Sequence, residues 1–266
     1  MPRHSEEYVI PGFHAVCQAL SSPGIAVIEV WIAVGKESGR VKAVQEQARS
    51  RGVPVRFQKA EDLEARLPGV AHQGFAAVTR APVYVDLEKV LEQARRDAAP
   101  YGLILAADHI TDEGNLGAVI RAAAFFGAAG LILPKDRSAG LSHRVTKRSA
   151  GASLLLPVAR VVNLPRALDA LTREGFWIVG AAGEAKTDVY AFDWNRHTVL
   201  VMGREDRGLS PNVRSRCQEL VAVPGSGRVE SLNVAVATGV ILSEIHRQQK
   251  AAEREIAPVP PRQAGP

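Results

Sequence analysis

The chain has 266 residues, of which 46% are hydrophobic, so it is long and apolar enough for one large domain or two ordinary ones. Its net charge of +5 and isoelectric point of about 9.4 are compatible with a nucleic-acid partner. The only two cysteines, Cys17 and Cys217, lie far apart in the sequence and have no metal-like spacing, so neither a disulfide framework nor a zinc site is indicated.

Neither the first residues nor any internal run indicates export or a membrane. The segment from Met1 to Glu7 lacks the apolar core of a signal peptide. No apolar run approaches the roughly 20 residues that a bilayer-spanning helix needs. The seven histidines are scattered without paired spacing, so no metal centre is expected. We therefore expect a cytoplasmic protein that binds neither a membrane nor a metal ion.

Residues 1–98 alternate helical and strand patterns, which predicts a small α/β unit. Helices are expected at 13–20, 41–51 and 61–67. Strands are expected at 26–34, 53–57 and 74–79. The polar stretch 86–98 follows a proline and predicts a surface helix or a linker. We assign residues 1–85 to the first domain and 86–98 to the linker.

From Tyr101 onward, apolar runs again alternate with helical patterns, which predicts a largely parallel sheet flanked by helices. Strands are expected at 103–107, 131–133, 158–162, 177–180, 199–202 and 220–223. Helices are expected at 116–126 and 144–150, in the segment that ends at 174, after 210, and from about 233 to 255. We assign residues 99–256 to this second domain. The proline-rich tail at 257–266 is expected to be disordered.

Three polar segments each follow an apolar run at the end of a predicted strand. They are Asn115–Arg121, Gly203–Gly208 and Ser231–Val234, with the sequences NLGAVIR, GREDRG and SLNV. In open α/β sheets, ligands bind just beyond the carboxyl ends of the strands. We therefore expect the three segments to form one composite site, and this favours an enzyme.

Arg121 is the only charged residue between Asn115 and Gly130, in a helical pattern that is apolar nearly all round. Such a helix is expected inside a protein, where an unpaired guanidinium is costly. Arg121 therefore either forms a structural ion pair with a buried carboxylate or points into the site, and Glu205 would serve either role. Asn115 also has two interpretations, as an orienting amide and as a helix N-cap.

The excess of basic residues lies mostly after residue 98, in a cluster of lysines and arginines. Its members are Lys135, Arg137, Arg144, Lys147 and Arg148. Such a cluster is either a solvated helix face or a set of RNA phosphate contacts with salt-dependent affinity. Dinucleotide binding is disfavoured, because Glu230 stands where the third glycine of a G-x-G-x-x-G motif starting at Gly225 would be.

Residues 103–247 resemble the SpoU (TrmH-like) branch of the knotted SPOUT RNA methyltransferases. The three segments above match the family's motifs N-x-G-A-x-x-R, G-x-E-x-x-G and S-L-N-V, in the family's order. The segment from Gly12 to Val16 is similar to the N-terminal RNA-binding domain of the subgroup that methylates guanosine in 23S rRNA. The resemblance implies a C-terminal α/β domain with a deep trefoil knot and a small N-terminal α/β domain of ribosomal-protein-like fold.

The resemblance also implies S-adenosylmethionine as the cofactor, rRNA as the substrate and a homodimer in which the partner subunit completes the site. The catalytic residues would be Asn115, Arg121, Glu205, Ser231 and Asn233. The cofactor contacts would be Gly203, Val223, Leu232, Ala182 and Gly183. The implied reaction is methyl transfer to the ribose 2′-hydroxyl of a guanosine in 23S rRNA. Two alternatives stay open: ribose methylation of tRNA, and an RNA-binding or assembly protein without activity.

Overall fold

The computed structural model describes residues 7–22, 25–35, 39–80, 84–96 and 100–256. These residues form two sheets, one before residue 81 and one after residue 102. None of the helices in these ranges is both long and apolar enough to cross a membrane. The tail that we expect to be disordered, 257–266, lies outside the described residues.

The first sheet has four strands. Its elements, with their helices, are β1 (Glu7–Pro11), α1 (Phe13–Ser21), β2 (Val27–Ala33), α2 (Gly39–Ser50), β3 (Val55–Gln58), α3 (Ala60–Arg66) and β4 (Phe75–Arg80). The strand order is β1-β4-β2-β3, in which β4 is antiparallel to β1 and β2, and β2 is parallel to β3. The α/β unit predicted for this part of the chain is present, with one additional strand, β1, that we did not predict.

Helices cover both faces of this first sheet. Successive side chains of a strand point to opposite faces, so Val30 and Ile32 of β2 pack with the residues of α1 and α2. Trp31, between them, packs with Leu63 of α3 on the other face. Burial on both faces explains why β2 has a nearly continuous apolar sequence.

The second sheet has seven strands. The elements of this part are α4 (Leu87–Arg96), β5 (Leu103–Ala107), α5 (Glu113–Phe125), β6 (Gly130–Pro134), α6 (His143–Arg148), β7 (Val158–Val161), α7 (Leu164–Arg173), β8 (Trp177–Ala181), β9 (Thr187–Asp188), β10 (Thr198–Met202), α8 (Pro211–Arg214), β11 (Glu219–Ala222) and α9 (Val234–Ile256). The strand order is β7-β6-β5-β10-β8-β11-β9, and all pairings are parallel. The parallel sheet predicted from the sequence is confirmed.

The order of the strands reverses between β5 and β10. From β5 the chain proceeds outward through β6 and β7, and then returns to the other side of β5 with β8, β10 and β11. Helices α5, α6 and α9 cover one face of the sheet, and α4, α7 and α8 cover the other. In such sheets the point of reversal opens a crevice at the carboxyl ends of the strands, where ligands bind. The loops after β5 and β10 therefore border the expected site.

The segment that we predicted as a surface helix or a linker, 86–98, contains helix α4. Two side chains of α4, Val90 and Ala94, are buried in the core of the second sheet. The packing is close: a Cβ added to Gly130 of β6 would lie 2.7 Å from Val90 Cγ1. Of the two interpretations, the structure supports the helix. The domain limits at 85 and 98 stay a prediction.

Strand β1 of the first sheet contacts helix α6 of the second through what we call the interdomain latch, formed by Tyr8, Val9, His143, Thr146 and Ser153. Tyr8 Oη lies 2.7 Å from Thr146 Oγ1, which lies 3.0 Å from Ser153 Oγ. The Tyr8 ring stacks on His143 with 4.3 Å between the centroids, and His143 Nδ1 donates a hydrogen bond to the Val9 carbonyl oxygen. Burial raises the pKa of Tyr8 to about 12.

Tyr8→Phe tests the latch, because it removes the hydroxyl and leaves Thr146 with Ser153 as its partner. We expect the free energy of unfolding to fall by about 1 kcal/mol, the net value of one hydrogen bond. The folded-state pKa of Tyr8 lies above its ordinary value of 10.0, so the wild type should also lose stability as the pH rises from 10.0 to about 12. The variant should lack this loss.

Urea titrations at neutral pH and above pH 10 measure both effects. Tyr190→Phe is the matched control, because Tyr190 is 51% exposed. Equal losses of stability in the two variants would contradict a stabilising role for the Tyr8 hydroxyl.

Candidate active site

The carboxylate of Glu205 joins three loops at the carboxyl edge of the second sheet. Glu205 Oε1 accepts hydrogen bonds from Asn115 Nδ2 at 2.7 Å and from Asn233 Nδ2 at 2.6 Å. Asn233 Nδ2 also donates to Asn115 Oδ1 at 3.0 Å, and the Val234 N–H lies 3.4 Å from Glu205 Oε1. One residue from each of the three sequence motifs is therefore present in what we call the amide–carboxylate cluster, formed by Asn115, Glu205 and Asn233.

Asn115 lies in the first turn of α5 rather than at its N-cap. The N-cap is Asp112, whose side chain accepts a hydrogen bond from the Asn115 backbone N–H at 2.7 Å. Helix α5 thus begins at Glu113, earlier than the predicted Leu116. The N-cap interpretation of Asn115 is wrong, because Asp112 already takes that role. The Asn115 side-chain amide is left to contact Glu205.

Asn233 does cap its helix. Asn233 Oδ1 accepts hydrogen bonds from the N–H groups of Ala235 at 2.9 Å and Val236 at 3.3 Å, in the first turn of α9. The amide therefore has its oxygen on the helix and its nitrogen on Glu205. Ser231 of the same motif is exposed, and its side chain makes no hydrogen bond among the described residues, so its catalytic role stays a prediction.

Two glycines hold the loop that carries Glu205. Arg204 and Gly208 form an isolated β-bridge, with backbone hydrogen bonds of 3.0 and 2.9 Å. A Cβ at Gly203 would lie only 2.3 Å from the carbonyl carbon of Gly208, so a larger residue does not fit there. The φ angle of Gly208 is 62°, in the left-handed region that favours glycine. The two glycines of this motif thus close the loop around Glu205.

The loops expected to bind the cofactor lie beside one another. The loop after β8 is held by a hydrogen bond from the Ala182 N–H to the Val221 carbonyl oxygen at 3.0 Å. A Cβ at Gly183 would lie 3.9 Å from the Glu230 carbonyl oxygen, so this loop approaches the one after β11. In that second loop Val223 is half-buried and Leu232 is exposed, whereas Gly203 in the loop after β10 is buried. The cofactor roles of Ala182, Gly183, Gly203, Val223 and Leu232 stay a prediction.

Arg121 is not part of the cluster of its own chain. It follows Asn115 by six positions, which places it roughly 240° further around α5. It is exposed, and among the described residues no hydrogen bond or ion pair joins it to Glu205. The predicted interior position and the structural ion pair are both wrong. One face of α5 carries the buried side chains Leu116, Val119, Ile120 and Ala123, and Phe125 is 80% exposed.

The five basic residues that we considered for RNA binding spread over a broad surface. The position of a Cβ on Gly117 of α5 lies 2.5 Å from Arg148 Cβ, which places Arg148 beside the helix that carries Asn115. A Cβ on Gly69 of the first domain would lie 3.7 Å from Arg144 Nη2. Lys147 is half-buried, and Lys135, Arg137, Arg144 and Arg148 are exposed. Their contacts with RNA stay a prediction.

Asp108 and His109, directly after β5, escaped the sequence analysis. Asp108 is 1% exposed, and its carboxylate accepts a hydrogen bond from the Ser210 N–H at 2.6 Å and lies 2.6 Å from His109 Nδ1. Both residues line a cavity together with Arg137 and Arg204. Their place at the end of a buried strand is the signal that could have revealed them. Among the described residues, no group of three or more His, Cys, Asp or Glu side chains could hold a metal ion.

The cluster presents one open hydrogen-bond acceptor. All hydrogen bonds to Glu205 go to Oε1, and Oε2 receives none from the described residues. Glu205 is exposed, so a ligand can reach this oxygen. An ionised carboxylate accepts hydrogen bonds and donates none. The arrangement therefore suits a ligand that donates a hydrogen bond, such as a hydroxyl group.

Comparison with known protein families assigns both halves of the chain. Residues 102–243 match the SpoU rRNA Methylase family. The chain belongs to the SpoU methylase family. Residues 9–85 match the family described as RNA 2′-O ribose methyltransferase substrate binding. The family resemblance inferred from the three motifs is confirmed.

A curated relative and two solved structures extend this result. The 23S rRNA (guanosine-2′-O-)-methyltransferase RlmB of Xanthomonas axonopodis pv. citri is 40% identical over 243 residues, which cover 91% of this chain and 97% of the relative. The SpoU methyltransferase AviRb of Streptomyces viridochromogenes, solved in complex with AdoMet, has a TM-score of 0.74 and 25% identity over 92% of this chain and 91% of that chain. The A. aeolicus TrmH/SpoU tRNA modifying enzyme has a TM-score of 0.52 and 30% identity over 63% of this chain and 82% of that chain.

Two variants of Asn233 separate the helix cap from the contact with Glu205. Asn233→Ala removes the capping oxygen and the amide nitrogen, and we expect it to lower the stability by about 1 kcal/mol. Asn233→Ser removes the amide nitrogen but keeps an oxygen that can cap α9, so its melting temperature should stay close to that of the wild type. Calorimetric melts of both variants test this. Equal losses in the two variants would contradict the cap.

Proposed function

We propose that this protein transfers a methyl group from S-adenosylmethionine to the ribose 2′-hydroxyl of a guanosine in 23S rRNA. The observation that carries this proposal is the amide–carboxylate cluster, with Glu205 Oε2 open, at the carboxyl edge of a SpoU-family sheet. The RlmB relative supports the rRNA substrate, because it matches 91% of this chain. The tRNA-modifying enzyme of A. aeolicus matches only 63% of it, which favours rRNA over the tRNA alternative.

The loops after β8, β10 and β11 fit S-adenosylmethionine through their main chain. They adjoin one another and contain glycines, so backbone N–H and carbonyl groups can approach a ligand closely. The residues that would hold the cofactor are Ala182, Gly183, Gly203, Val223 and Leu232. S-adenosylmethionine supplies an electrophilic methyl group on a sulfonium. The proposal includes the trefoil knot that the family resemblance implies. The knot would determine the path of the same three loops.

The remaining chemistry falls to the side chains of the cluster. The ribose 2′-hydroxyl must be positioned, and it must pass its weakly acidic proton to water or to the adjacent phosphate as its oxygen takes the methyl group from the sulfonium, which leaves the demethylated cofactor. Glu205 Oε2 accepts a hydrogen bond from this hydroxyl, while Asn115 and Asn233 hold the carboxylate through Oε1. Arg121 does not serve as a literal base, because a guanidinium does not readily deprotonate in proteins. Its role is to bind the ribose and the adjacent phosphate.

A homodimer accounts for the exposed apolar side chains near the site. They belong to α5, to the first turn of α9 and to the loop before it: Phe125 is 80% exposed, Val229 79%, Val236 53% and Leu232 48%. A partner subunit that covers these side chains would remove their apolar surface from water, which is favourable. Because Arg121 points away from its own cluster, a symmetric pairing through this surface can bring it to the cluster of the partner subunit.

Methyl transfer to defined RNAs tests the proposed function. The protein is incubated with radiolabelled S-adenosylmethionine and with transcripts of 23S rRNA, small-subunit rRNA or tRNA. We expect label on a guanosine ribose in 23S rRNA alone, identified by mass spectrometry of the nucleosides. Labelling of tRNA alone would establish the tRNA alternative. RNA binding without any labelling would establish the alternative of a protein without activity.

Arg121→Ala should affect turnover and leave stability unchanged. The side chain is exposed on its own subunit and forms no ion pair with Glu205 there, so we expect the free energy of unfolding of the subunit to change by no more than about 0.5 kcal/mol. Loss of a positioned charge should slow methyl transfer at least ~100-fold. Melting curves and single-turnover rates measure the two effects. Arg173→Ala, at an exposed position of α7, is the control.

Mixed dimers test whether Arg121 acts across the subunit interface. Chains with Arg121→Ala are combined with chains with Glu205→Ala, each inactive alone. In a mixed dimer one of the two sites regains both residues if Arg121 comes from the partner, so activity should return. Mixed dimers that form but stay inactive would contradict this role. Light scattering that shows a monomer at micromolar concentration would contradict the dimer itself.

A further inference from the structure

A groove lies at the point where the strand order reverses. We call it the switch groove and define it by six of the residues that line its two adjoining cavities: Asp108, His109, Arg137, Arg204, Arg207 and Ser210. These residues come from the loops after β5, β6 and β10, at the carboxyl ends of neighbouring strands. This is the place where open α/β sheets bind their ligands. None of these residues belongs to the amide–carboxylate cluster.

The backbone of the switch groove is strained at two positions. His109 has a φ angle of 61° and Arg137 one of 52°, both in the left-handed region. Only four non-glycine residues of the described chain have a positive φ, and these two line the same groove. Such conformations are costly and persist where the surrounding structure imposes them, often at binding sites. The strain therefore points to a function for these two side chains.

Asp108 fixes the imidazole of His109. Its buried carboxylate lies 2.6 Å from His109 Nδ1 and accepts the Ser210 N–H at 2.6 Å. The negative charge of Asp108 is thus covered by protein partners and is not exposed in the groove. His109 Nε2 has no hydrogen-bond partner among the described residues. One ring nitrogen holds the side chain in place, and the other is available to a ligand.

Two guanidinium groups supply the free charge of the groove. Arg137 is exposed and makes no ion pair within the described chain. The Arg207 side chain is 79% exposed, and its Nε lies 3.7 Å from Asp206 Oδ2. Asp206 is bound more closely by Arg204, through hydrogen bonds of 2.8 and 2.7 Å, so its ion pair with Arg207 is the longer of the two. Besides Asp108, one carboxylate of the described residues lines the two cavities, that of Asp136. It lines the second cavity but not the one that Arg207 lines. Guanidinium groups match the oxygens of a phosphate in geometry and charge.

We propose that the switch groove binds a phosphodiester group of the RNA strand next to the target nucleotide, with Arg137 and Arg207 as its ligands. This inference rests on the proposed function. Arg207 stands two residues after Glu205 in the loop closed by the Arg204–Gly208 bridge, so the phosphate site and the cluster share one rigid loop. His109 contacts the same nucleotide through Nε2. A phosphate held here sets the register in which the ribose reaches Glu205.

Substitution of the two arginines tests the groove. Arg137→Gln and Arg207→Gln remove one charge each, and glutamine at position 137 meets the same backbone strain as arginine. Each should weaken binding of a 23S rRNA fragment about tenfold. Each should also lower the slope of log affinity against log salt by about 0.7 to 0.9, the value of one phosphate contact. Affinity for S-adenosylmethionine should not change.

The matched control is Arg173→Gln, at the exposed end of α7 that lies away from the groove. Arg137→Lys should restore most of the salt slope, because it restores the charge. Filter binding at several salt concentrations reads RNA affinity without turnover, so it separates this inference from the proposed function. Wild-type affinity and slope in both glutamine variants would overturn the groove even if the enzyme methylates RNA. Groove-dependent binding without methyl transfer would overturn only the proposed activity.

Discussion

The hydrogen bonds on one oxygen of Glu205 hold together the three motifs at the carboxyl edge of the second sheet. Backbone N–H groups can only donate, so the amide of Asn233 must turn its oxygen toward α9 and its nitrogen toward Glu205. That nitrogen also donates to Asn115 Oδ1, which turns the Asn115 nitrogen toward the same carboxylate. A helix cap thus sets the direction of every hydrogen bond in the cluster. Because all of these donors bind Oε1, Glu205 Oε2 is the acceptor of the cluster that remains free for a ligand.

The sequence predicted which residues would meet but not how helix α5 would lie. Asn115, Glu205 and Asn233 could be found because each follows a buried strand and stands in a short motif that contains a glycine or begins a helix. The prediction that Arg121 is buried was wrong because the segment around it is rich in alanine. Alanine counts as apolar but is small enough to be tolerated at a surface, so apolar residues all round did not mean a buried helix.

Other features depend on contacts that no local pattern contains. Tyr8 and Thr146 of the interdomain latch are separated by 138 positions, so the sequence around either residue does not indicate that the two are in contact. Strand β1 escaped prediction because it becomes a strand by pairing with β4, which lies far away in the sequence. The left-handed backbone of His109 could not be predicted from the sequence, because that conformation is usually indicated by glycine. These features arise from tertiary packing, and the structure was needed to find them.

A hydrogen bond next to the interdomain latch connects helix α6 to helix α5, which carries Asn115 of the active site. Ser142, the N-cap of α6, donates a hydrogen bond of 2.6 Å to Glu113 in the first turn of α5, two positions before Asn115. The first domain is therefore held at a set distance from the catalytic edge. If the proposed function is correct, the RNA must already be folded when it binds. The region that contacts the first domain and the region that enters the active site must be separated by the distance between these two parts of the protein. Selection then rests on RNA shape before any base is read, and little binding free energy is lost in ordering the two domains.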